Sequence, residues 1–181
     1  MSAIAARVDD IDQWFVGLYD AHRATVFSAA LRLCGRWVDA EDLTAETFLR
    51  AYRAVVGYSP QRRSELATRT WLMTILLNLW RNRARSLARN PPPDQLPEDL
   101  DGADPHQDVA LAAEHRETSA ELARLLSWLP VTQREAVILR HVVDLSTREV
   151  AQVLAMPEGT VKSHVSRGLN RLRELSEGGA R

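Results

Sequence analysis

Residues 90–108 carry five of the chain's eight prolines, Pro91, Pro92, Pro93, Pro97 and Pro105, together with six acids and no basic residue. Each proline fixes φ and removes a backbone donor, so neither a helix nor a central strand runs through such a stretch. Its few apolar side chains bury too little surface to offset the entropy of ordering it. A flexible, acidic, Pro-rich linker is therefore expected at 90–108. It divides the 181 residues into an N-terminal piece, 10–89, and a C-terminal piece, 109–178. Pieces this small are marginally stable alone and gain from a partner.

Both pieces read as helical, and an all-α fold of two small domains is expected. Ile11, Phe15, Leu18, Val26, Ala30 and Leu33 keep to one helical face. Ala45, Phe48, Leu49, Tyr52, Val55 and Val56 do the same in a second helix. Gly35 and the run Gly57-Tyr58-Ser59-Pro60 punctuate the ends. A third helix is predicted from about Glu65 to Ala88. Further helices are predicted near 109–128, 131–142, 147–154 and 158–175. They break at Pro130, at Asp144 with Ser146 and Thr147, and at Pro157. No run alternates with period two, so no strand is required.

Composition excludes several classes. The apolar fraction of 45% suits a globular chain, and no stretch reaches the ~18 apolar residues of a membrane span. Met1–Asp12 lacks the apolar core of a secretion signal. Cys34 is the only cysteine, which fits a reducing cytoplasm. The histidines His22, His106, His115, His141 and His164 are scattered, none at metal spacing. With no Gly-rich phosphate loop and no nucleophile elbow, no catalytic residue, metal or cofactor is expected.

The net charge of −1 conceals a sorted chain. Residues 53–89 hold eight Arg against Glu65 alone, whereas residues 1–52 hold five Arg against eight acids. A block of that sign is either a polyanion footprint or a solvated helix face.

Residues 145–173 give the strongest motif. Thr147 is the expected cap of a two-turn helix, without a full capping box because Val150 stands three residues on. A short break through Met156 and Pro157 leads to a second helix, the layout of a DNA-binding helix-turn-helix. On a helical projection Val161, Val165, Leu169 and Leu172 fall within about 80° as an apolar stripe. Lys162, Ser163, Ser166, Arg167 and Asn170 take the opposite side, and such side chains suit base edges and phosphates in a major groove. A merely solvated face carries acids too, yet here only Glu158 precedes Glu174.

In the third helix Asn78, Asn82 and Arg85 fall within about 40° of Trp71. A ring to stack on and donors for base edges are what unstacked single strands require. A buried Trp71 beside exposed amides fits the same spacing. Asp39, Glu41 and Asp42 stand at a helix start, where acids complement the dipole. Glu46, a turn further on, gains less from it. An acidic and apolar docking face for a basic partner protein fits these residues as well.

Four stretches, in this order, resemble a bacterial RNA polymerase sigma factor of the extracytoplasmic-function (ECF) group. They are DAEDLTAETFLRAY at Asp39–Tyr52, TWLMTILLN at Thr70–Asn78, LSWLPVTQREAVILR at Leu126–Arg140, and Leu145–Arg173 with its PEGTVKSHVSRGLNRLR core. The resemblance implies a subunit, not an enzyme, that binds core RNA polymerase and directs initiation at promoter DNA. It assigns Asp39, Glu41, Asp42 and Glu46 to docking on the polymerase clamp. It assigns Arg62, Arg63, Ser64, Trp71, Asn78, Asn82 and Arg85 to the −10 element, with Asn78 matching the position that contacts a flipped base. Lys162, Ser163, Ser166, Arg167 and Asn170 would read the −35 element in duplex DNA. The linker would run near the RNA exit path, and an anti-sigma protein would hold the factor inactive. His164 stands where the family more often has Arg, which weakens one expected phosphate contact. A regulator with a sensory N-terminal half would leave the third helix and the acidic helix before it without a role. A DNA-processing enzyme would need clustered catalytic residues.

Overall fold

The structure, a computed structural model, describes residues 2–89 and 121–178. The linker 90–108 and the first part of the helix predicted near 109–128 lie outside the described residues. Among the described residues no strand occurs, as the all-α expectation requires. The N-terminal piece forms α1 (Ser2–Cys34), α2 (Trp37–Val55), α3 (Pro60–Ser64) and α4 (Thr68–Arg89). The C-terminal piece forms α5 (121–127), α6 (Val131–Val137), α7 (Thr147–Leu154) and α8 (Glu158–Gly178). A π-helical turn, Ile138–Val142, continues α6.

Local chemistry sets the boundaries. Gly35 follows α1 at φ +76, and its N–H donates to the Leu31 carbonyl at 2.7 Å. Glycine takes that left-handed conformation at least cost. The Ser59 hydroxyl accepts from the Arg62 N–H at 3.2 Å, and Pro60 opens α3. This extra turn postpones α4 to Thr68, three residues later than the spacing predicts.

α1, α2 and α4 pack on one another around Val26, Ala30, Phe48, Ala51, Leu72 and Leu76. Edge-on ring pairs fasten α1 to α2, with centroids 5.1 Å apart for Phe15–Tyr52 and 4.8 Å for Tyr19–Phe48. In the C-terminal piece, Val137, Ile138, Leu139, Leu145, Val150 and Val161 are buried. The buried residues of the two pieces belong to one continuous core. α4 packs against α7, and α1 against the π-helical turn.

The apolar stripe expected on α8 needs correcting. Val161 is fully buried and Val165 and Leu172 partly so, but Leu169 lies at the rim, 36% exposed. The buried face turns instead through Gly168, where a Cβ would come 2.7 Å from Val137 Cγ2. α8 can approach α6 this closely because the residue is glycine. Gly168→Ala gains about 1 kcal/mol of helix propensity. Overpacking a fitted contact costs about 1–3 kcal/mol, so a net loss of up to about 2 kcal/mol is expected. Gly168→Leu loses more. Urea denaturation checks both, and an alanine variant more stable than wild type would show that Val137 yields freely.

Candidate nucleic-acid interfaces and docking face

The helix-turn-helix starts one residue earlier than expected. Ser146, not Thr147, is the cap: its hydroxyl accepts from the Glu149 N–H at 3.2 Å, and Glu149 Oε2 accepts from the Ser146 N–H at 2.8 Å. This is the full capping box, and Thr147 is the first helical residue. Bonds from the Ser146 hydroxyl first, then from its N–H, hold the Glu149 carboxyl below its usual range. A depressed folded value means the stabilisation is present above the unfolded value and is lost as pH falls through the folded one. Ser146→Ala is expected to cost about 1 kcal/mol at pH 7 and less in acid, where Glu149 is protonated. Urea midpoints at neutral and acid pH measure this, and equal midpoints at pH 7 would remove the box from the account.

Ala155, at φ +53, makes the turn after α7. The next helix then presents Lys162, Ser163, Ser166, Arg167 and Asn170, all exposed on one side. The Ser163 hydroxyl donates to the Gly159 carbonyl at 3.0 Å, and Asn170 Oδ1 accepts from Arg173 at 3.4 Å. A groove of about 370 Å³ beside this face is bordered by Arg140, His141 and Arg173 over Val165 and Leu169. Those three residues were not singled out for nucleic-acid contact by the sequence, although Arg140 and Arg173 each end one of its motifs. His164 is partly buried, its Nδ1 enclosed without a partner.

Along α4, Asn78, Asn82 and Arg85 are exposed together. Arg85 Nη2 donates to Asn82 Oδ1 at 2.9 Å, which holds donor and acceptor side by side. Trp71 is partly buried and tilted against Tyr58, centroids 6.2 Å apart. The Arg62 guanidinium lies over the same Tyr58 ring, 4.0 Å from its centroid. Tyr58 thus joins Arg62 and Trp71, a role its place in a loop run did not signal. Ser64 is exposed, its hydroxyl donating to the Gln61 carbonyl at 2.8 Å. Arg63 is placed differently. It is 5% exposed, paired with Asp10 and 6.0 Å from the Trp14 ring. Consecutive helical residues point about 100° apart, so when Arg62 faces outward Arg63 turns onto α1.

Two acids of α2, Asp42 and Glu46, border a groove of about 600 Å³ lined also by Leu43, Leu49, Leu79 and Arg83. Glu41 and Asp42 are exposed. Glu46 accepts from Arg50 at 2.7 Å, a surface pair of one helical turn. Asp39 accepts from Arg83 at 2.8 Å, so it fastens α2 to α4 as well as standing at the helix start. Burial pushes the Cys34 thiol up to about 12. Among the described residues no cluster of metal-ligating side chains occurs, and no helix is long and apolar enough to cross a membrane.

Among the described residues the fold is all-helical and carries a helix-turn-helix. Residues 18–90 match Sigma-70 region 2, and residues 119–172 match Sigma-70, region 4. The RNA polymerase sigma-E factor of Streptomyces avermitilis is 36% identical over 151 residues, 82% of this chain and 77% of that one. The ECF RNA polymerase sigma factor SigE of Mycolicibacterium smegmatis is 36% identical over 84% of this chain, which spans 58% of that relative's length. The sigma factor RpoE of Bartonella quintana, solved with the anti-sigma factor NepR, has a TM-score of 0.64 at 27% identity, over 93% of this chain and 97% of that one. CnrH in complex with the cytosolic domain of CnrY shares the fold, with a TM-score of 0.66 at 24% identity over 91% and 88% of the two chains. The chain belongs to the ECF group of RNA polymerase sigma factors.

Proposed function

We propose that this chain is a dissociable subunit of core RNA polymerase that directs initiation by reading −10 and −35 promoter elements. The observation that carries the proposal is the surface of α4, where exposed Asn78, Asn82 and Arg85 continue toward Trp71, Tyr58 and Arg62. Rings, amides and guanidinium groups together suit unstacked bases. A regulator that reads only duplex DNA has no use for them. In this reading α4, with Arg62 and Ser64, takes the −10 element, and Arg63 stays within the fold. Lys162, Ser163, Ser166, Arg167 and Asn170 enter the major groove at the −35 element. The groove between α2 and α4, with Asp42 and Glu46 at its border, receives basic and apolar groups of the polymerase, and the exposed Glu41 adds its charge on the same helix. Residues 10–89 and 109–178 act as two domains on the linker 90–108. The factor works in the cytoplasm, is not itself an enzyme, and is restrained by an anti-sigma protein, as its Bartonella relative is bound by one.

The test is gel filtration with core polymerase followed by run-off transcription. Co-elution and a promoter-dependent transcript are expected. Arg167→Ala is expected to weaken −35 duplex binding, read by fluorescence anisotropy, by about 1–3 kcal/mol. A chain that neither co-elutes nor directs a transcript overturns the reading. Undiminished −35 affinity in the variant moves the recognition face elsewhere.

A further inference from the structure

The one buried residue of α3 is a charged one. Of its five residues only Arg63 is enclosed, while Pro60, Gln61, Arg62 and Ser64 face solvent. So short a helix does not persist alone, and what fixes α3 is what Arg63 meets. It meets α1: Nη2 donates to Asp10 Oδ2, 53 positions away, and the guanidinium lies 6.0 Å from the Trp14 ring. Among the described residues, the other hydrogen bonds of 59–66 close within that stretch, as those to the Ser59 hydroxyl and the Gln61 carbonyl do.

Stability is a poor reason for this arrangement. Arg63 Nε and Nη1 are enclosed without a partner, and the Asp10 side chain stays 63% exposed. Desolvating a guanidinium for so little return is costly, and a well-packed apolar side chain of similar volume commonly serves as well or better. What a buried ion pair supplies instead is direction, and direction matters here because of the neighbouring residue. Consecutive helical residues point about 100° apart, so the side that Arg63 turns to α1 sets where Arg62 points. Arg62 lies 4.0 Å over the Tyr58 ring, and Tyr58 leans on Trp71 of α4. Guanidinium, phenol ring and indole are therefore brought into line from α1.

We propose that the Asp10–Arg63 pair is a positioning device for −10 recognition. It holds α3 on α1 so that Arg62 and Tyr58 meet unstacked bases in one register, and the choice of base depends on a pair that does not itself touch DNA. The effect on base choice rests on the sigma-factor reading; the anchoring of α3 does not.

Arg63→Met separates this role from a purely structural one. Met refills the space without a charge and leaves Asp10 in water, so the urea midpoint is expected to stay level or rise. Amide hydrogen exchange of the free chain across 59–67 is expected to quicken several-fold, with the long helices unchanged. Base choice is read on holoenzyme, core polymerase with the full chain, offered single-stranded DNA randomised over the length of a −10 element. Bound strands are sequenced, and the strand that wild type enriches is compared with its single-base variants by fluorescence anisotropy. In Arg63→Met that preference is expected to fall about tenfold, the order that one well-made base contact supplies, with core binding unchanged. Asp10→Asn is expected to lose the preference too, and Asp10→Glu, which keeps the charge, to retain it. Should Arg63→Met fail to fold, the two Asp10 variants, changed at an exposed side chain, decide by themselves. Unchanged exchange across 59–67 in Arg63→Met and Asp10→Asn overturns the anchor. Wild-type preference in these variants overturns the positioning role, and a lowered midpoint beside it makes the pair a strut. A wild-type holoenzyme that enriches no strand counts against the sigma-factor reading instead, and the exchange still judges the anchor.

Discussion

Asn78→Ala is expected to fold, to bind core polymerase and to bind −35 duplex DNA, yet to fail in opening promoters. Asn78 is exposed on α4, while Leu72, Leu76 and Leu77 on the same helix are buried. Truncating it therefore removes no packing. Lifting a base out of the stack costs a few kcal/mol, which hydrogen bonds to the base edge must offset. Asn supplies both a donor and an acceptor, and Ala supplies neither. At roughly 1.4 kcal/mol per tenfold, losing such bonds lowers the open-complex yield by one to two orders of magnitude. The defect shrinks on a template already mismatched across the −10 region, because the melting cost is gone. Run-off transcription on duplex and pre-melted templates measures the difference. Wild-type yield from the duplex would remove Asn78 from −10 reading, and an unfolded variant would show that it is a structural amide.

The second large effect belongs to Val161→Asp. Val161 is fully buried in α8 and belongs to the core cluster that includes Val137, Leu139 and Val150. A carboxylate there finds no water, and an uncompensated buried charge costs several kcal/mol. That is comparable to the whole stability of a small domain, about 5–15 kcal/mol. The C-terminal half is therefore expected to lose its helices, seen as lost ellipticity and as collapsed amide dispersion. Val165→Asp, at a partly exposed position, is expected to be much milder. Equal damage from the two would mean that the apolar stripe, not the depth of Val161, sets the cost.

How far the chain could be read from its residues depends on what each feature needed to know. The exposed side of α4 followed from angular spacing alone, because Asn78, Asn82 and Arg85 recur on a helix whose opposite side is leucine-rich. The α8 stripe failed at Leu169 and Gly168 because the projection knows residue type but not where α6 comes close. The Ser146 cap was available: two adjacent hydroxyl residues compete, and only Ser146 has Glu three positions later. Arg63 looked like its neighbour Arg62, and nothing local announces that Asp10 returns to meet it. Arg81 on α4 pairs with Glu135 on α6 across 54 positions, a contact that leaves no mark in any sequence window.

The protonated thiol of Cys34 bears on how the molecule can be watched. A sulfhydryl raised to about 12 and largely enclosed is almost wholly un-ionised at neutral pH. Maleimide and iodoacetamide reagents attack the thiolate, so the native cysteine competes poorly for them. A cysteine placed at an exposed position such as Gln152 or Arg53 would take a fluorophore selectively, with Cys34 left in place. Dye pairs reporting on either half of the chain can therefore be installed without disturbing the packing around α1.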